Sequence, residues 1–209
     1  MDAVITENEV LDDICGFDWA ELDCAEQSAV AWAYYFFSIQ FRENLEIAAR
    51  LYPSDLLDEL VAGECDTDNI SPWPDVALPG EKMNHDEFMR RLLDLSPIDP
   101  KLQMIIEAAG NRYLRRTRAF PDRTRASSIA SYEDGGLERL FTAMLTGQRW
   151  DTPLLAAFRH FLERHIGFDS DPTAGHGALA RHLPPDDGVE HLWDELRELF
   201  IIAVPRLLG

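Results

Sequence analysis

The chain has 209 residues, with 38 Asp and Glu against 19 Lys and Arg and a formal net charge of -19 at pH 7. A surface this acidic repels phosphate backbones and anionic lipid, so nucleic acid and membrane surfaces are not expected partners. The length suits one domain with a sizeable core, and no Gly/Ser-rich or charged linker divides residues 1–209.

Asp2, Glu7 and Glu9 stand near the N-terminus where a secretory signal needs a basic flank, and the longest apolar run, AVAWAYYFF, is too short to span a bilayer. Cys15, Cys24 and Cys65 form no CxxC pair, which predicts free thiols in a reducing compartment and argues against a thiolate zinc site. The expected location is the cytoplasm.

In chain order, Asp23 and Glu26 form a capping-box pattern that opens a long apolar helix, and no Gly or Pro interrupts it before Pro53. Ser54 caps a second helix, SDLLDELVAGE. The stretch CDTDNISPWPDVALPGEK follows, where Pro72, Pro74 and Pro79 forbid a continuous helix, and a loop of that length inside a compact domain is often functional. His85 precedes the helical pattern DEFMRRLLDL, and Asp99 with Pro100 opens DPKLQMIIEAAGNRYLRRTRAF. Gly135 and Gly136 precede GLERLFTAML, Asp151 and Pro153 open DTPLLAAFRHFLERHIGFD, and GVEHLWDELRELFIIAVPRLL closes the chain. With no alternating β-branched runs joined by tight turns, the sequence predicts an all-α bundle of about seven or eight helices.

His165 and Asp169 lie four residues apart and share a helical face, where they either hold one metal ion or hydrogen-bond to each other. His176 follows His165 by eleven residues, close to three turns, but Pro172 intervenes. The proline either kinks the helix and returns His176 to the same face, or ends it and leaves His176 in a loop. Glu64 ends an apolar helix and Glu138 opens another. With His85 they place carboxylates and imidazoles on separate helices of one bundle, the donor pattern of di-iron carboxylate proteins.

The segments GECDTDN, NHDEFMRRLL, GGLERLF and FLERHIGFD followed by HG resemble the metal-binding helices of the heme-oxygenase-like diiron oxidase and oxygenase superfamily. The resemblance covers roughly residues 30 to 205. It implies a heme-oxygenase-like helical bundle and a metal ligand set of Glu64, His85, Glu138, His165, Asp169 and His176. It further implies two iron ions with O2 as co-substrate and a small substrate such as an amino acid, amine or fatty acid. Desaturation, oxidative C–C cleavage or N-oxygenation in specialised metabolism is the implied chemistry, with an external electron donor and a homodimer as possible partners.

Two departures stand out: a proline-rich insertion separates Glu64 from His85, and DSDPTAG lengthens the step from the acid to the last histidine. Asp66, Asp68, Glu81, Glu87 and His182 are therefore substitute ligands. Trp73, Phe88, Phe141 and Trp150 are candidate pocket walls, and Arg115, Arg116, Arg118, Arg123 and Arg125 are candidate clamps for a substrate carboxylate. The competing readings are a metal-free hydrolase or a heme enzyme of the same general fold, and a non-enzymatic helical ligand-binding protein. The hydrolase would need a reactive cysteine, and none of the three sits in an evident catalytic setting, while the non-enzymatic protein would need none of the six ligands.

Overall fold

The computed structural model describes residues 6–169 and 175–209, and these are helical with no strand among them. The helices are α1 (Glu7–Cys15), α2 (Cys24–Leu51), α3 (Asp55–Glu64), α4 (His85–Leu93), α5 (Pro100–Thr117), α6 (Asp122–Ser131), α7 (Leu137–Met144), α8 (Pro153–Asp169), α9 (His176–Ala180) and α10 (Val189–Ala203). A π-helical turn, Tyr132–Gly136, joins α6 to α7, so the described residues form nine separate rods. That exceeds the seven or eight expected. Helix α1 starts from a Thr6/Glu9 capping box, α6 is polar in sequence yet largely buried, and α9 is a single short turn. No helix among the described residues is long and apolar enough to cross a membrane.

Helix α2 is the axis of the bundle. The Asp23 carboxylate accepts the Ala25 and Glu26 N–H groups, both at 2.9 Å, while the Glu26 carboxylate accepts the Asp23 N–H at 2.9 Å. From this start it runs 28 residues and packs against α3, α4, α5, α6, α8 and α10. A helix enclosed on so many sides must be apolar nearly all round, which is why Tyr34, Phe37, Phe41 and Leu45 leave no clean polar face.

Several of the polar side chains that α2 buries have polar partners, although Gln40 Nε2 has none. The Tyr113 hydroxyl donates to Gln40 Oε1 at 2.9 Å, and Asn44 donates to Ser128 Oγ and accepts from Arg125 Nε, each at 2.9 Å. Next to them Glu43 accepts two hydrogen bonds from Arg118 at 2.9 and 2.5 Å and lies 3.2 Å from Arg125 Nη2. Partial burial opposes ionisation of Glu43, but the two guanidinium groups outweigh it and hold its carboxyl below the usual value. A folded-state value below the unfolded one adds stability above the unfolded carboxylate range, and that stability is lost as pH falls through the folded value. Glu43→Gln is therefore expected to cost about 1 kcal/mol near neutral pH and progressively less as the pH falls below the usual carboxylate range, as read by urea unfolding.

The proline-rich stretch between α3 and α4 is irregular, as expected. Its ends are pinched where Thr67 and Met83 exchange backbone hydrogen bonds at 3.1 and 2.9 Å. Between them the loop lies on α8: Trp73 stacks on His160 with ring centroids 4.6 Å apart, His160 Nε2 meets Ile70 O at 3.0 Å, and Arg164 Nη2 donates to Asn69 O at 2.6 Å. This placement brings the start of α4 beside the middle of α8.

Candidate metal centre

Four helical ends and turns and the body of a fifth element bring five side chains together. Glu64 is the last residue of α3, His85 the first of α4, Glu133 the second residue of the π-turn, and His176 the first of α9, while His165 comes from the body of α8. Chain termini of helices put these side chains at a junction rather than along one groove. Glu64, Glu133, His85, His165 and His176 are exposed by only 4, 3, 5, 5 and 8%.

Two groups of three donors form there, Glu64 with His85 and His165, and Glu64 with Glu133 and His176; within each, the donor atoms lie within 4.8 Å of one another. Glu64 belongs to both. Its Oε2 lies 2.7 Å from His85 Nδ1 and its Oε1 lies 3.2 Å from His176 Nδ1, which is also 3.2 Å from Glu133 Oε2. His165 Nε2 lies 2.9 Å from His85 Nδ1.

Proton accounting shows what the first group lacks. His165 Nδ1 faces the Phe161 carbonyl at 2.7 Å, and a carbonyl only accepts, so the proton sits on Nδ1 and Nε2 offers a lone pair. Asn69 Nδ2 donates to Gly63 O at 2.8 Å, which turns Asn69 Oδ1 toward His85 Nε2 at 2.9 Å and puts the His85 proton on Nε2. In the neutral ring His85 Nδ1 is then also a lone pair. Two imidazole lone pairs and a carboxylate oxygen thus converge, and such a cluster needs a shared proton or a cation to hold it.

The electrostatics agree. Burial pushes the His165 imidazole down to about 3, with repulsion from His85 adding to it, so His165 is neutral at physiological pH and available as a donor. Burial works against the Glu64 carboxylate, yet a proton shared with His85 Nδ1, the alternative to a cation there, lowers Glu64 and keeps it ionised. Burial raises Glu133, helped by repulsion from Glu64 and opposed by His176. Glu64 Oε1 and Glu133 Oε2 are fully enclosed with no aligned hydrogen-bond donor. Buried carboxylate oxygens left in this way carry a desolvation cost that a divalent cation removes. The residues present therefore fit one or two metal ions held by carboxylate and imidazole.

Of the residues expected as ligands, the structure brings together Glu64, His85, His165 and His176. Glu138 lies half-buried on α7 and belongs to neither group, and the second carboxylate beside Glu64 is Glu133. The physical reason is the π-turn. The path of α6 runs on as far as Glu133, which stays on the face of Ile129 one turn earlier, and the backbone breaks at Asp134 (ψ 50°) and Gly135 (φ 96°) before α7 starts after Gly136. The Ile129-to-Glu133 spacing is the signal that would have found it. Asp169 closes α8, but its side chain lies outside the described residues, as does Pro172 with the expected backbone break around it.

None of the substitute ligands enters either group. Asp66 and Asp68 are exposed, Glu81 and Glu87 pair with Arg91 at 2.8 Å each, and His182 Nε2 meets Ser54 Oγ at 3.0 Å. Close packing seats His176 without a long side chain next to it: a Cβ on Gly177 would lie 2.9 Å from Glu133 O.

A cavity of about 20 Å³ adjoins the donors, with Tyr34, Phe41, Leu137 and Phe161 as walls and Arg42 and Asp86 at the rim. Trp73, Phe88, Phe141 and Trp150, expected as walls, do not line it. The arginines expected as a clamp are also elsewhere: Arg116 pairs with Glu195 and Glu198, Arg118 and Arg125 with Glu43, and Arg123 with Asp186, while Arg115 is exposed. Arg42 lines the cavity instead, its Nε 2.9 Å from Asp86 Oδ2. The Cys65 thiol is pushed up to about 12, chiefly by burial and also by Glu64, so it stays protonated and is no nucleophile at neutral pH.

Comparisons of this chain with protein-family models, curated proteins and solved structures find no match.

Proposed function

We propose that this chain is a non-heme di-iron oxidase or oxygenase of heme-oxygenase-like fold that uses O2 to oxidise a small amine or amino-acid-like substrate. The observation that carries the reading is the pair of buried donor groups joined through Glu64. Carboxylate and imidazole donors on separate helices suit ferrous iron, and Glu64, common to both groups, would help to hold each of two ions. Bound there, two iron ions would supply open positions for dioxygen and the electrons that reduce it.

The chain's own residues define the rest. His85 and His165 present neutral nitrogens whose far sides are already fixed by Asn69 and Phe161 O. Tyr34, Phe41, Leu137 and Phe161 keep the adjoining space apolar, and its volume suits a molecule the size of water or dioxygen. Arg42 also lines this space, its Nε held by Asp86 at 2.9 Å and its Nη1 by Glu46 at 2.6 Å. An external electron donor would complete the cycle.

Anaerobic loading with Fe(II) tests this reading, and about two irons per chain are expected for the parent. His165→Ala and Glu133→Gln should each lose one of them, while Glu138→Gln should load like the parent. Oxygen uptake should then rise on addition of an accepted amine or amino acid. Equal iron content in the parent, His165→Ala and Glu133→Gln proteins would overturn the proposal.

A further inference from the structure

The proline-rich loop contributes no donor to either group, yet one of its residues, through its side chain and its main-chain carbonyl, touches the chain at or beside all three members of the first donor group. Asn69 Nδ2 donates to the carbonyl of Gly63, next to Glu64, at 2.8 Å. Asn69 Oδ1 accepts from His85 Nε2 at 2.9 Å. The Asn69 carbonyl accepts from Arg164, next to His165, through Nη2 at 2.6 Å and Nε at 3.2 Å. Its own N–H points to Thr67 Oγ1 at 3.4 Å, within the segment that pairs with Met83 just before α4.

Resting on the di-iron reading above, we propose that Asn69 is a positioning residue that sets the metal affinity of the Glu64, His85 and His165 position and leaves the Glu64, Glu133 and His176 position alone. The chemistry follows from the amide. A side chain with a donor on one end and an acceptor on the other can hold the α3 terminus and the His85 ring together, and a carboxylate would lack the donor for Gly63 O. By accepting the Nε2 proton, Asn69 keeps the His85 lone pair on Nδ1, the nitrogen that faces Glu64 and His165. His165 has its equivalent support from the backbone of its own helix, so His85 is the ligand whose orientation depends on a replaceable side chain. The two donors peculiar to the second group come from elsewhere, Glu133 from the π-turn and His176 from α9, and only the Gly63 contact, beside the shared Glu64, reaches both groups.

The test is a Co(II) titration of full-length parent and variants followed by visible absorption, with thermal unfolding of each metal-free protein as the folding check. His85→Ala and Glu133→Gln assign the two binding steps to the two positions. Asn69→Ala is expected to weaken the step that His85→Ala removes by roughly 10- to 100-fold and to leave the step that Glu133→Gln removes unchanged. Asn69→Asp, which keeps an acceptor facing His85, is expected to recover most of that loss. If Asn69→Ala does not fold, Asn69→Leu, of similar volume and without an acceptor, takes its place with the same expectation.

Parent-like binding in a folded Asn69→Ala or Asn69→Leu protein would overturn the positioning role while leaving the metal centre standing. Equal weakening of both steps would also overturn it, since it would mark a general loss of structure. A parent protein that binds no Co(II) would instead overturn the metal centre itself, and the role of Asn69 with it.

Discussion

Glu64→Gln is expected to abolish binding at both metal positions, whereas His85→Ala and Glu133→Gln each abolish one. The difference follows from Glu64 alone belonging to both donor groups, with Oε2 turned to His85 and Oε1 to His176. The amide keeps the shape of the carboxylate but loses its charge and one of its two equivalent acceptor oxygens. The loss should exceed the roughly 10- to 100-fold that outer contacts cost. It should also show in stability: a metal at about 1,000 times its Kd stabilises the parent by about 4 kcal/mol, and that metal-dependent shift in Tm should vanish in Glu64→Gln. Without metal the variant should fold, because Gln removes a buried charge without opening a cavity. Retention of either binding step in Glu64→Gln would show that the carboxylate is not shared.

The second large effect is expected at Gly136. A Cβ there would sit 2.4 Å from the Ser131 carbonyl oxygen and 2.8 Å from the Trp193 ring. Neither can retreat cheaply, since Ser131 O belongs to helical backbone and Trp193 is fully buried with its Nε1 donating to Ser131 Oγ at 2.7 Å. Gly136→Ala should therefore destabilise the metal-free protein by about 2 to 4 kcal/mol, through overpacking and displacement of the π-turn. Because the turn carries Glu133, the same change should weaken the second metal position more than the first. Gly135→Ala makes the contrast: nothing lies within 4 Å of its Cβ, but φ is +96°, so only backbone strain of about 1 to 2 kcal/mol is expected. Urea unfolding of both variants separates the two causes.

Much of the fold was legible because its signals are local. The Asp23/Glu26 box, Ser54 and Asp99 with Pro100 each start a helix where the structure has one, since caps depend on neighbouring atoms and not on tertiary context. Helix α6 was not legible: DRTRASSIAS has no apolar face, and it is buried because Asn44, Glu43 and Pro184 O offer partners to its polar side chains.

The same division runs through the site. Glu64 and His85 are marked by the ends of helical patterns, and His165 lies inside one, but their meeting depends on the long loop folding back onto α8. Glu133 was hidden because the Gly135-Gly136 pair marks the start of α7, as expected, and directs attention to Glu138 after it, while Glu133 lies just before the backbone break. Asn69 gives no periodic signal at all. Its part is visible once distances to Gly63, His85 and Arg164 are known, because an amide in a loop is defined by what it touches.

The central claim is that two ions share Glu64. Anomalous diffraction at the iron edge from crystals of the Fe(II)-loaded protein tests it most directly. Two peaks roughly 3.5–4 Å apart are expected. They should flank the Glu64 carboxylate, one against His85 and His165 and the other against Glu133 and His176. An iron peak beside Glu138, or no iron within reach of Glu64, would contradict the account.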